Sequence, residues 1–152
     1  MGLKINLQEK AIPTKGIIKT YWFENENIGL KRTLFHRITV PLKSFNTGLE
    51  YEGGPIETEI VFEWLALNLK DPMALDGIEV NRHSHPQMEA SVYIGFAHNW
   101  CDIEKLVFKK HGPANFEIEC EMIVDFEYEG VADKEAYQFK TDATFVKDNF
   151  GE

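Results

Sequence analysis

Arg82-His83-Ser84-His85-Pro86 carries a His-x-His pair, and His98 stands three residues before Cys101. Imidazole nitrogen and thiolate sulfur both suit zinc, so His83, His85, His98 and Cys101 form a candidate tetrahedral set. Three histidines around a zinc-bound water would make a metal-dependent hydrolase. The helical metalloprotease signature is missing. A polar loop with two exposed histidines, and His98-Asn99 serving a turn before Trp100, reads the same letters without a metal. By residue type, Cys101 with His98 or His111 also makes a nucleophile and base. There is no Gly-x-Ser-x-Gly elbow, phosphate-cradling glycine loop or dinucleotide fingerprint.

A second constellation is electrostatic. Phe116, Ile118, Cys120, Met122, Val124, Phe126 and Tyr128 are apolar at every even position, the period of a strand with one buried face. Cys120 then reads as a small buried hydrophobe. The odd positions place Glu117, Glu119, Glu121, Asp125, Glu127 and Glu129 on the opposite face. Like charges side by side repel, and Lys105, Lys109 and Lys140 on the flanking strands are the residues placed to relieve them. Such a face is either a solvated surface of cross-strand pairs or a docking surface that steers a basic partner. Carboxylates spaced two apart along a strand make a poor cage for a divalent cation.

Charge sets limits on the partner. The 152 residues hold 16 bases and 25 acids, a net −9, which excludes binding built on phosphate neutralisation and so speaks against nucleic acid. Residues 1–45 hold eight bases and three acids (+5), and the remaining 107 hold eight and 22 (−14). The asymmetry means either two distinct surfaces or, the favoured reading, two halves that pack together and partly neutralise. No stretch reaches the roughly 18 apolar residues of a membrane-spanning helix, and Met1–Lys10 lacks the apolar run of a signal peptide. Two cysteines are too few for a disulfide scaffold, which points to a cytoplasmic protein.

The elements that position these residues read mostly as strands. Leu3, Ile5 and Leu7 alternate with polar residues. Ile17–Phe23 is a short apolar run expected to be buried on both faces. Leu34, Ile38, Val40 and Leu42 share one face with His36 as its only polar member, and Pro41 marks an edge strand or a strand's end. Glu52-Gly53-Gly54-Pro55 is a turn. Ile56–Leu69 begins as a strand and could end as a helical turn over Trp64–Leu69. Ala90–Ile94 and Tyr137–Phe145 alternate, while 82–87 reads as a loop. The strands around Leu106, Met122 and Phe139 form an antiparallel meander. At about 3.3 Å per residue the run 116–128 would span some 43 Å, so a bend or bulge is expected in it. Trp64 and Tyr21-Trp22-Phe23 are core, or an apolar patch that a partner covers.

The stretch Ser91–Asn99, with Asp102–Leu106 after it, is similar to small bacterial proteins. That resemblance implies a bacterial cytosolic origin and no particular activity.

The expectation is one mainly β domain over residues 1–152, an antiparallel sandwich or strongly curved sheet with at most one short helix. The alternative is α+β with Trp64–Leu69 as a helix on the sheet. The function expected is non-enzymatic: a binding module presenting its acidic sheet face to a basic protein, with inhibition of a toxin whose site is cationic as one form. The competing readings are the zinc-dependent hydrolase and a structural assembly subunit.

Overall fold

The computed structural model describes residues 2–147. A four-residue helix, α1 (Leu7–Lys10), precedes strands β1 (Gly16–Asn25), β2 (Leu30–Phe45), β3 (Ile56–Leu65), β4 (Glu79–Val80), β5 (Glu89–Ile94), β6 (Ala97–Lys110), β7 (Asn115–Asp125) and β8 (Glu135–Phe145). Along β7 the even positions from Phe116 to Val124 are buried and the odd ones are not, so the period of two sets which face is the inside. The same alternation puts Ile18, Ile38, Ile60, Phe62, Val92, Ile94, Ile103, Leu106 and Phe108 in one core.

The wall closes on itself. Neighbouring strands bond in the cyclic order β1-β2-β3-β5-β6-β7-β8, and β8 returns to β1 through a short parallel pairing of Gly16–Ile18 with Ala143–Phe145. The result is a mainly β protein built as a closed seven-stranded barrel, with β4 added beside β6. The antiparallel sandwich or strongly curved sheet expected from the sequence is met only roughly, since the sheet closes fully and so removes free edges along the barrel. Register shifts between β1 and β2, β2 and β3, and β6 and β7 bend the long strands enough to close the ring. Gly16 is required at the seam, because a Cβ there would sit 2.9 Å from the Thr39 carbonyl oxygen.

The ends of the barrel are plugged by chain rather than left open. The N-terminal segment lays Ile5 and Leu7 onto the core. It is pinned by the Glu135 carboxylate, which accepts from the N–H groups of Ile5, Asn6 and Leu7. Tyr137 donates its hydroxyl to the Ala11 carbonyl at 2.6 Å. Leu75, Phe126 and Ala132 fill from the loops.

Several expectations are corrected. The Trp64–Leu69 segment is not helical: Leu65 still pairs with His36, and Trp64 and Asn68 have positive φ, which a helix does not accept. The short helix is instead at Leu7–Lys10, where the alternation had suggested a strand. β7 ends at Asp125, and Tyr128 lies exposed in the following turn. The bulge falls in its partner, between Ile103 and Lys105. β2 runs on past Pro41 to Phe45, paired with β3 on one side, while on the other β1 has ended and Ile12–Thr14 takes its place. Ile17–Phe23 is buried on one face at most, because among the described residues the far half of the β1–β2 hairpin has no strand beside it other than its own partner.

Candidate functional site

The histidine and cysteine set is dispersed. Three residues of separation on a strand is an odd number, so His98 and Cys101 point to opposite sides of the β6 wall. His98 is exposed, its ring edge-on to Tyr93 at 4.7 Å, whereas Cys101 is buried in the barrel. Burial pushes the thiols of Cys101 and Cys120 up, away from the thiolate needed for metal binding or attack. His83 sits in the turn after β4, where its backbone N–H donates to Asn81. His85 in the same turn is 2.8 Å from the Ser84 hydroxyl through Nδ1. Among the described residues no group of three or more His, Cys, Asp or Glu side chains is disposed to hold a metal.

The acidic stripe is real along β7 but shorter than the sequence implied and largely answered. Glu119 lies 3.5 Å from both Lys105 and Lys140, and these two cations hold its carboxyl below the usual range. Glu121 is within 3.9 Å of Lys105, and Glu117 has Lys109 as cross-strand neighbour. Asp125, Glu127 and Glu129 flank or occupy the turn after the strand. There Asp125 accepts from the Tyr128 N–H and Glu127 from the Lys134 N–H. On the other neighbour of Glu117, Asp142 pairs with His111 at 3.0 Å, which raises the histidine's pKa.

A less compensated surface lies around the wall from it. On β3, Glu57, Glu59, Val61 and Glu63 alternate with the buried Ile60 and Phe62 and so face out. Glu89, Ser91 and Tyr93 of β5 and His98 and Trp100 of β6 continue that face. Together with Arg37 they line an open groove of about 790 Å³. Its formal charge is −3, four carboxylates against one guanidinium with His98 neutral. Arg37 is committed to Glu63 at 2.9 Å; Glu57, Glu59 and Glu89 have no ion pair among the described residues. Glu63 and Glu89 stand directly opposite each other across β3 and β5, a like-charged arrangement that costs stability unless a cation intervenes. Tyr93 and Trp100 are 45% and 43% exposed in the groove wall, so each keeps an aromatic face free for contact. Trp100 is the cross-strand neighbour of Asp125, which joins this groove to the β7 stripe in one continuous acidic wall.

Next to the groove the wall breaks rhythm. Between the pairs His36–Leu65 and Ile38–Phe62, two residues of β3 oppose one of β2, and the extra residue is Trp64 at φ +58. A bulky side chain in the left-handed region costs roughly 1–3 kcal/mol and persists only where the surroundings enforce it. Here Tyr21, Phe23 and Phe35 do so, with ring centroids 6.0, 5.1 and 5.3 Å from the indole. The bulge turns Glu63 and Trp64 both outward, one toward the acidic groove and one into an apolar cleft of about 700 Å³ beneath the protruding β1–β2 hairpin. The sequence hinted at both features: the odd phase of 57–63 is acidic, and Trp64 with Tyr21-Trp22-Phe23 had two readings, of which the outward patch fits Tyr21, Phe23 and Trp64. The pairing of β3 with β5 is non-local, and nothing in the letters alone places Glu63 beside Glu89.

Arg37–Glu63 joins the basic N-terminal part to the acidic remainder, but Arg82–Glu104 and the Lys105 and Lys140 pairs lie within the acidic part. No helix among the described residues is long and apolar enough to cross a membrane. Comparison of the chain with protein-family models, with curated proteins and with solved structures returns no match.

Proposed function

We propose that this protein is a binding module that presents its acidic outer wall to a basic protein partner, with the β3–β5–β6 groove as the contact centre and the β7 stripe as a steering flank. The observation that carries this reading is the placement of two half-exposed aromatic rings, Tyr93 and Trp100, in a concave surface with Glu57, Glu59 and Glu89, which have no ion pair among the described residues. Interface centres are enriched in Tyr and Trp, and their rims are polar. Carboxylates around such rings suit the lysine and arginine side chains of a partner, because aromatic faces attract cations as well. The long-range field of the wall adds to the association rate. Neutralising a toxin whose own site is cationic is one role this surface fits.

The test is affinity capture from the source organism's lysate with wild type and with a Glu59→Gln/Glu89→Gln/Trp100→Ala variant, washed at low and at high salt. A basic protein held by wild type at low salt, released at high salt and not held by the variant is the expected result. Retention of the same protein by both, or of none by either, removes the proposal.

A further inference from the structure

We infer that the partner is recognised through an extended segment pairing a cationic side chain with a bulky apolar one: the cation enters the acidic groove and the apolar residue fills the cleft under the hairpin. This rests on the binding-module reading above and narrows it to a recognition motif.

The two surfaces are one site by construction. Glu89 lines both the groove and the cleft. The bulge at Glu63-Trp64 stands at their junction and gives one side chain to each. The groove is acidic and aromatic, which fits an arginine or lysine head with its stem laid on a ring. The chain already shows this chemistry within itself, since the Arg32 guanidinium lies 4.7 Å from the centre of the Trp22 ring. The cleft is of another kind. Phe23, Ile28, Leu30, Phe35, Trp64 and Met88 make it predominantly apolar, and Met88 adds an adaptable wall. Its outer lip, Ile28, is 72% exposed at the hairpin tip and extends the contiguous apolar surface of the cleft out to solvent.

The occupant follows from continuity and charge. A purely cationic ligand would leave the cleft wet, and a purely apolar one would leave Glu59 and Glu89 unanswered. A strand-like segment carries same-face side chains about 6.5–7 Å apart. It can therefore place an arginine and a phenylalanine on adjoining subsites while its backbone follows the wall. Each half alone forfeits the other's contribution, and linking the two makes the second contact intramolecular.

The test uses three hexapeptides of equal length: acetyl-Ser-Arg-Gly-Phe-Arg-Ser-amide, the same peptide with Phe replaced by Ser, and the same with both Arg replaced by Gln. Binding is followed by tryptophan fluorescence. The mixed peptide should bind about tenfold or more tighter than either control. Ile28→Ser, a change at an exposed tip that the fold tolerates, should bring the mixed peptide down to the level of the Phe-less control and leave that control unchanged. Equal binding of the mixed and Phe-less peptides overturns the inference while the acidic-wall reading stands. Absence of any salt-sensitive binding by the arginine peptides overturns both. Equal binding of the mixed and Arg-less peptides, or a concentration-dependent dimer by light scattering that Ile28→Ser dissolves, assigns the cleft to an apolar ligand or a second copy and also overturns the inference.

Discussion

His36 sits in the barrel wall, 2% exposed, with one ring nitrogen partnered and the other not. Nε2 is 2.8 Å from the Pro72 carbonyl oxygen, and Nδ1 is buried without a hydrogen-bond partner among the described residues. The neutral tautomer with its proton on Nε2 fits this site, donating to Pro72 and tying the loop that follows Trp64 back onto the barrel. A second proton, on Nδ1, would be a buried charge with no acceptor. Burial lowers the imidazole pKa below its ordinary value, and the Pro72 carbonyl opposes the shift only in part. The folded pKa is thus below the unfolded value of about 6.5, so the unfolded chain takes up the proton first as pH falls. The contribution to stability is full above about pH 6.5 and declines as pH drops toward the folded value, by at most about 1.4 kcal/mol per pH unit between the two. His111 has the opposite sign, because its bond to Asp142 raises its pKa and favours the folded state at low pH. Urea unfolding of wild type and His36→Gln from about pH 7.5 to 4.5 separates the two, since glutamine keeps a donor for Pro72 and does not titrate. The stability advantage of wild type over His36→Gln should shrink as pH falls through that range, at no point more steeply than about 1.4 kcal/mol per pH unit. Parallel pH profiles for the two proteins would refute the reasoning.

Gly95 turns the β5–β6 hairpin at φ +68, and a Cβ there would lie 2.8 Å from Val131 Cγ1 and 3.0 Å from the Tyr51 hydroxyl. Left-handed strain and overpacking together should make Gly95→Ala about 2–4 kcal/mol less stable, read as a lower denaturant midpoint. Both cysteines are buried with their pKa values raised, so a thiol reagent should label neither in the native protein within minutes and both after unfolding. Fast native labelling would contradict the placement of these strands. Glu135→Gln weakens the carboxylate that holds Ile5, Asn6 and Leu7 and should cost about 1–3 kcal/mol. The Ala11 amide, bonded to the Leu7 carbonyl, should then exchange its hydrogen faster than core strand amides do. Unchanged exchange at Ala11 would mean that the segment is held by other contacts.

Period-two alternation made the meander β6–β7–β8 and the inward set from Phe116 to Val124 readable, because one buried face leaves its signature in the letters. It also singled out His36 as the one polar residue on the phase shared by Leu34, Ile38, Val40 and Leu42. Alternation could not distinguish a barrel from a sandwich, since closure depends on bulges and on a three-residue parallel seam between Gly16–Ile18 and Ala143–Phe145. The apolar run Ile17–Phe23 misled because exposed apolar residues such as Ile17, Trp22 and Phe23 look the same in the letters as those of a core. Leu7–Lys10 misled for another reason: the helix is held at its start by Glu135, distant in sequence. Of the candidate site, the β7 stripe was legible, and of the three lysines named beside it Lys105 and Lys140 form ion pairs with it while Lys109 is a cross-strand neighbour of Glu117. The groove was not legible, because β3 and β5 become neighbours only by skipping β4 and the rest of residues 66–88, a pairing that no local pattern announces.

The most direct measurement is a ¹⁵N–¹H correlation titration of the folded protein with acetyl-Arg-Arg-Arg-amide at low and at raised salt. The expected result is a set of shifts centred on Ser91, Tyr93 and the Trp100 indole N–H, reduced by salt and lost in Glu59→Gln/Glu89→Gln. Shifts centred instead on Glu117–Glu121 with Trp100 unmoved, or no shifts at low salt, would contradict the assignment of the groove as the contact centre.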